Sequence, residues 1–182
     1  MTNRILPKHI GLIAVSSGLI AASIYWLMMS VTLAHIEAVS GHVPFDMRPA
    51  GYGPTQAAAL LEALGVDGRY YYLSRQLTLD TLYPPMLALT MIATICWVGK
   101  HMPNSRFVRF GIALSVASAL FDYVENLGIM AMIWSWPGVF VPLVYAASSA
   151  TILKSVSTTL AVLMVLLVGF NWARLPKANI RL

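Results

Sequence analysis

Three ionisable residues stand where ionisable residues are expensive. Asp122 and Glu125 interrupt the apolar run LFDYVENLG, and Lys154 interrupts TILKSVSTT. A charge held in bilayer hydrocarbon costs about 3 kcal/mol or more unless it finds a partner, so such residues mark either a structural pair or a functional site. Depth follows from counting. Asp122 lies 12 residues before Trp134 and Lys154 lies 12 residues after Pro142, which puts both about 18 Å from the same end of their helices at 1.5 Å per residue. Asp122, Glu125 and Asn126 are spaced i, i+3 and i+4 and share a helix face, which Ser118 and Ser115 continue. Ser148, Thr151, Lys154, Ser155 and Thr158 form a second stripe. The two stripes are expected to face each other, with Lys154 paired to Asp122 or Glu125 and with Asn126, Ser118, Thr151 and Ser155 completing the network.

Such a pair cancels one charge of each sign. The second carboxylate is then protonated, matched by a ligand, or balanced by a further partner. Two acids of different proton affinity beside a lysine suit proton shuttling on a lipophilic substrate, and the same network also serves as glue that fixes helix register. Asp80 is a possible additional acid. It precedes Pro84, which has no N–H to give to the Asp80 carbonyl, so a kink and a bare carbonyl are expected there. At the expected start of its span, its simplest reading is an interfacial acid facing water.

The elements that position these residues are read from hydropathy. Of the 182 residues, 58% are hydrophobic and 10% charged, well below the roughly 25% charged of soluble domains. The fold class expected is all-α: one transmembrane domain over 1–182, an integral membrane four-helix bundle with spans at about 10–34, 78–99, 107–134 and 142–172. From Pro85 to Gly99 there are 15 residues, or about 22 Å, too short for a core of about 30 Å, so the second helix must begin before its prolines. The first span follows Arg4 and Lys8 but is longer than the roughly 7–15 apolar residues of a cleavable signal, and is read as retained. In the loop at 36–77, Pro54 suits the first position of a helix and Gly65 the residue past its end, so PTQAAALLEAL is expected as a short amphipathic helix. That helix is too short to stand alone in water and should rest on the membrane or cap the bundle.

Arg4, Lys8, Lys100, Arg106, Arg109, Arg174, Lys177 and Arg181 cluster at the two ends and in the second loop. The positive-inside rule then makes both termini cytoplasmic and the long loop exterior, in a multi-pass protein of the cell inner membrane. Tyr70, Tyr71, Tyr72, Tyr83, Trp134 and Trp136 form an aromatic belt at the exterior face. The net charge of +5 is therefore an orientation signal, and nucleic acid is excluded as a partner. The one cysteine, Cys96, rules out an internal disulfide. Ser16, Ser23 and Ser30, with Ala14 and Gly18, read as close helix packing. No metal or cofactor is expected. His35, Glu37, His42 and Asp46 lack a tight ligand spacing, and His9 and His101 sit too near span ends to clasp a haem.

The succession FDMRPAGYGPTQAAALLEALGVDGRYYY, LDTLYP, FDYVENL and a lysine in the last span resembles uncharacterised four-span bacterial membrane proteins over roughly residues 45–158. The resemblance implies a membrane location and no activity. The plan of four spans with buried carboxylates also looks like the sterol-isomerase and sigma-2-receptor group, in architecture and without a residue-by-residue motif. The leading expectation is a non-catalytic membrane protein, an accessory subunit of a larger complex or a lipid-binding bundle, with membrane lipids and other subunits or itself as partners. The alternatives are a membrane-embedded enzyme using Asp122 and Glu125 on a lipophilic substrate, or a protein that moves protons or ions.

Overall fold

A computed structural model describes residues 9–100, 102 and 105–174. Five helices carry the chain and no strand occurs among the described residues. Four of them are long and apolar enough to cross a membrane: α1 (Ile10–Ser40), α3 (Gly65–Gly99), α4 (Arg106–Trp134) and α5 (Val141–Ala173). The short α2 (Pro54–Ala63) lies between the first two. The chain is a membrane protein, and Leu12, Leu19, Trp26, Leu120, Leu127 and Leu166 point outward as its lipid-facing surface. α4 and α5 form the most extensive interface, α3 packs on both, and α1 packs on α3.

Two spans are longer than their hydropathy predicts. α1 runs to Ser40, where Gly41 turns left-handed at φ +67 and closes the helix. α3 starts at Gly65, also left-handed at φ +62. The expected loop at 36–77 thus shrinks to 41–64. Helix continues past the apolar runs because the two ends pack on each other. His35 stacks on Tyr71 with centroids 4.3 Å apart, and Thr32 donates to Gln76 where a π turn in α1 (Met28–Thr32) meets a π turn in α3 (Tyr72–Gln76). At 35 residues, α3 would be about 52 Å long, so its first turns stand outside a hydrocarbon core of about 30 Å.

The short helix caps the bundle. Pro54 sits in its first turn, the Gln56 side chain accepts the Gly53 N–H at 3.0 Å, and Leu60, Leu61 and Leu64 are buried against the tops of the long helices. Burial of that leucine face supplies what so short a helix lacks in isolation. At the far end of the bundle, Ile95, Val108 and Val168 make a second apolar cluster. The polar stripes occupy the layer between the two clusters.

Pro84 and Pro85 lie inside α3, and each deprives a carbonyl one turn earlier of its N–H. Both carbonyls are satisfied from α4. Asn126 Nδ2 reaches the Asp80 carbonyl at 3.3 Å, and the Tyr123 hydroxyl reaches the Thr81 carbonyl at 2.8 Å. Side chains from a neighbouring helix are what makes such a break tolerable in lipid. Elsewhere small residues let the helices touch. A Cβ on Gly128 would fall 2.6 Å from the Ala147 Cβ, and one on Gly111 2.7 Å from Ile95.

If Tyr123 replaces the N–H that Pro85 lacks, Tyr123→Phe lowers unfolding stability by about 1 kcal/mol, the net worth of one hydrogen bond. In a Pro85→Ala background, where residue 85 bonds the carbonyl itself, the same change costs less than half of that. Thermal unfolding of the four proteins in one detergent checks the coupling.

Candidate functional site

The middle of α4 and α5 brings Lys154 between two acids. Its Nζ lies 3.4 Å from Asp122 Oδ1 and forms an ion pair with Glu125 Oε2. Glu125 is completely buried, and its other oxygen accepts the Thr151 hydroxyl at 2.7 Å. The site is therefore a carboxylate–ammonium–carboxylate bridge with one hydroxyl attached. The remaining members of the stripes behave differently. Ser118 pairs with Thr158 toward the far end, Ser155 bonds its own helix at the Thr151 carbonyl, and Asn126 turns to α3. FDYVEN thus serves two partners, with Asp122 and Glu125 directed at α5 and Tyr123 and Asn126 at α3.

Asp80 corrects the expectation of an acid facing water. It is 2% exposed, because α3 begins 13 residues before the predicted start of its span and so places residue 80 in its interior. A fourth acid comes from the loop. The 3-10 turn Phe45–Met47 follows Pro44 and buries Phe45 completely. Phe45 packs against the rings of Tyr52 and Tyr72 at 4.7 and 6.0 Å, which lowers Asp46 onto the polar layer. There the Tyr72 hydroxyl donates to Asp46 Oδ2.

The next part of the loop is clamped to α5. The Tyr52 N–H donates to Ser148 Oγ at 2.8 Å, an approach that needs Gly51, since a Cβ there would fall 2.5 Å from that oxygen and the residue holds φ +82. The Tyr52 hydroxyl is buried with no hydrogen-bond partner in the protein. Burial pushes this phenol above its usual range, and the charges of Glu125 and Asp46 add to the shift. Arg48 holds the turn from outside by donating twice to the Val43 carbonyl, at 2.9 and 2.7 Å.

Two of the four carboxyls, Asp122 and Glu125, contact the one amine, Lys154, while Asp46 and Asp80 do not pair with it. Several buried polar atoms around them have no hydrogen-bond partner in the protein: Asp46 Oδ1, Asp80 Oδ2, Asn126 Oδ1, the Tyr52 hydroxyl and Gln76 Nε2. Most are acceptors, which defines the chemistry of the layer as donor-seeking. The layer has a roof of loop and an apolar floor of Ile95, Val108 and Val168. Its edge is at Lys154, whose side chain is 15% exposed. Surface hollows of about 510 and 250 Å³ lie elsewhere, against Arg106 to Ala113 and Ser155 to Leu160, and the four carboxyls line neither.

No three His, Cys, Asp or Glu side chains among the described residues converge as a metal set. Of the residues considered as ligands, His35 packs on Tyr71 and Asp46 accepts from Tyr72. Of the two histidines considered for haem, His101 lies outside the described residues, as do the basic residues Arg4, Lys8, Lys177 and Arg181. No family model, curated protein or solved structure matches this chain.

Sequence reasoning missed Asp46, Tyr52, Tyr72 and Tyr123 as parts of one assembly. For Tyr123 a signal was present, because two adjacent prolines leave two bare carbonyls, of which the sequence reading names only the first and gives neither a partner on α4. For Asp46 and Tyr52 the signal is weak, since a loop has no periodicity from which a facing direction can be read.

Removing the amine leaves two acids without their counter-charge. Lys154→Met should cost about 3–5 kcal/mol of stability, the usual penalty for orphaning a buried ion-pair partner. Adding Glu125→Gln should recover more of it than adding Asp122→Asn, because Glu125 is the fully buried member and Asp122 keeps 7% of its side chain exposed. Thermal unfolding of the two double variants checks the order.

Proposed function

We propose that this chain is a non-catalytic membrane protein whose bundle binds an amphiphilic molecule at the acid-rich layer, a lipid-binding bundle that can serve a larger membrane complex as an accessory subunit. One observation carries the reading: the polar layer is single-ended. Loop and short helix cover it on one side, and apolar residues of α3, α4 and α5 close it on the other. A conducting path needs polar groups across the whole thickness, whereas a binding site needs one chamber with donors and acceptors in place. The surplus of acceptors favours a ligand head that brings N–H or O–H donors, with its tail lying along the apolar outer surface beside Lys154.

The orientation that goes with this proposal has both termini in the cytoplasm and the 41–64 segment outside, in a cell inner membrane. Membrane lipids are the first partners proposed. Other subunits, or a second copy, would pack on the small-residue side of α1 at Ser16, Ser23 and Ser30.

A second reading is a membrane-embedded enzyme on a lipophilic substrate. It is favoured by the buried carboxylate of Glu125, which accepts from the Thr151 hydroxyl and faces the Lys154 ammonium, a set suited to general acid–base chemistry. In that case the loop is a lid.

Native mass spectrometry of the protein extracted in mild detergent tests the leading reading. The expected result is a bound lipid or amphiphile that falls at least about tenfold in occupancy in Asp122→Asn/Glu125→Gln, a loss of about 1.4 kcal/mol in binding. A bare monomer for both proteins would remove the proposal. Proton or ion flux across liposomes that depends on Asp122 and Glu125 would replace it with transport.

A further inference from the structure

We propose that the start of α4 holds an anionic phospholipid, whose phosphodiester lies between Arg106 and Arg109 and whose acyl chain follows the exposed face of the helix below them. The site is at the opposite end of α4 from the capping loop and does not depend on what the acid-rich layer binds.

The charges here have no counterpart in the chain. No Asp or Glu occurs in 1–36, 81–121 or 126–182, the stretches that reach this end of the bundle. On α4 itself the nearest acid to Arg109 is Asp122, 13 residues on, or about 20 Å along the axis. Among the described residues, the side chains of Arg106 and Arg109 make no ion pair, hydrogen bond or ring contact, whereas Arg174 at the end of α5 stacks on Phe170 at 4.0 Å. Residues three apart on a helix are neighbours, so the two guanidiniums can present paired N–H groups to one phosphate.

The shape beside them suits a lipid. Arg106, Phe107, Arg109, Phe110 and Ala113 line a hollow of about 510 Å³. Phe107 and Phe110 are about half exposed, at 48% and 55%, and Ala113, one turn on, is too small to fill the space beside them. The exposed face continues through Val116, Leu120, Val124 and Leu127, an apolar track at helical spacing. From Arg109 to Leu120 the helix descends about 16 Å, half of a hydrocarbon core of about 30 Å and so the depth of one leaflet. A zwitterionic headgroup would bring its own cation to compete with the arginines, and a free anion would leave the apolar track unused. Charge and shape together select an anionic lipid, and the proposed orientation puts this end in the cytoplasmic leaflet, where such lipids attract basic groups.

The full chain in mild detergent, titrated with dioleoylphosphatidylglycerol or dioleoylphosphatidylcholine, allows the test, with native mass spectrometry reading the first bound lipid. Wild type should bind the anionic lipid at least about tenfold more tightly than the zwitterionic one, and Arg106→Gln/Arg109→Gln should lose that preference. Ala113→Leu fills the hollow with both charges in place and should weaken anionic-lipid binding by about fivefold. Positions 106, 109 and 113 are exposed, so these changes leave the packed interior as it is. Lys100→Gln removes an exposed cation outside the hollow and should change binding by less than about twofold. Asp122→Asn/Glu125→Gln should keep the preference for the anionic lipid, which separates this site from the acid-rich layer. The proposal is overturned if the arginine double variant keeps the wild-type preference, if Lys100→Gln loses as much of it, or if Ala113→Leu binds like wild type.

Discussion

The ammonium of Lys154 is the point from which the interior is arranged. Placed about 18 Å down its helix in an apolar bundle, it has to meet counter-charge on the neighbouring span, and it does so with both Asp122 and Glu125. That contact sets the relative height and rotation of α4 and α5. Close packing above it at Gly128 and Ala147 and below it at Gly111 and Met164 agrees with the same setting. Slippage by one turn at either place would strand the charges and overlap the backbones together.

With α4 so fixed, its remaining polar positions are directed at α3. Tyr123 and Asn126 arrive at the two carbonyls that Pro84 and Pro85 leave bare, so the proline break and the FDYVEN segment are complementary parts of one joint. The joint brings Asp80 into the layer instead of leaving it at the surface. The loop completes the assembly by inserting Asp46 and Tyr52 from above. Each step depends on the one before, and the outcome is a buried, acid-rich layer roofed by residues that Gly41, Gly51 and Gly65 allow to turn.

What could be read from the sequence divides along physical lines. Asp122, Glu125 and Lys154 were placed at one level because a helix converts residue number into both depth and direction. The four spans and the leucine face of α2 were legible for the same reason. Helix ends were not, since hydropathy marks where a helix can be in lipid and not where it stops, and α3 continues into water on contacts with α1. That error of 13 residues is what made Asp80 look interfacial. Ser155 was included in the network by spacing, yet a hydroxyl in a helix readily bonds the carbonyl one turn back, and this one does. Asp46 depends on the path of a loop, which long-range packing of Phe45 decides.

The Lys154 ammonium lies in direct contact with the carboxyls of α4, and solid-state NMR measures those distances. With lysine labelled at 15Nζ and the carboxyl carbons of glutamate and aspartate labelled with 13C, the full chain in bilayers should show dipolar coupling from the Lys154 amine to the carboxyls of both Glu125 and Asp122, as expected for direct ion pairs. Glu125→Gln and Asp122→Asn samples assign the two couplings, each removing its own. An amine coupled to neither carboxyl would contradict the account and detach the register of α4 and α5 from the charges they carry.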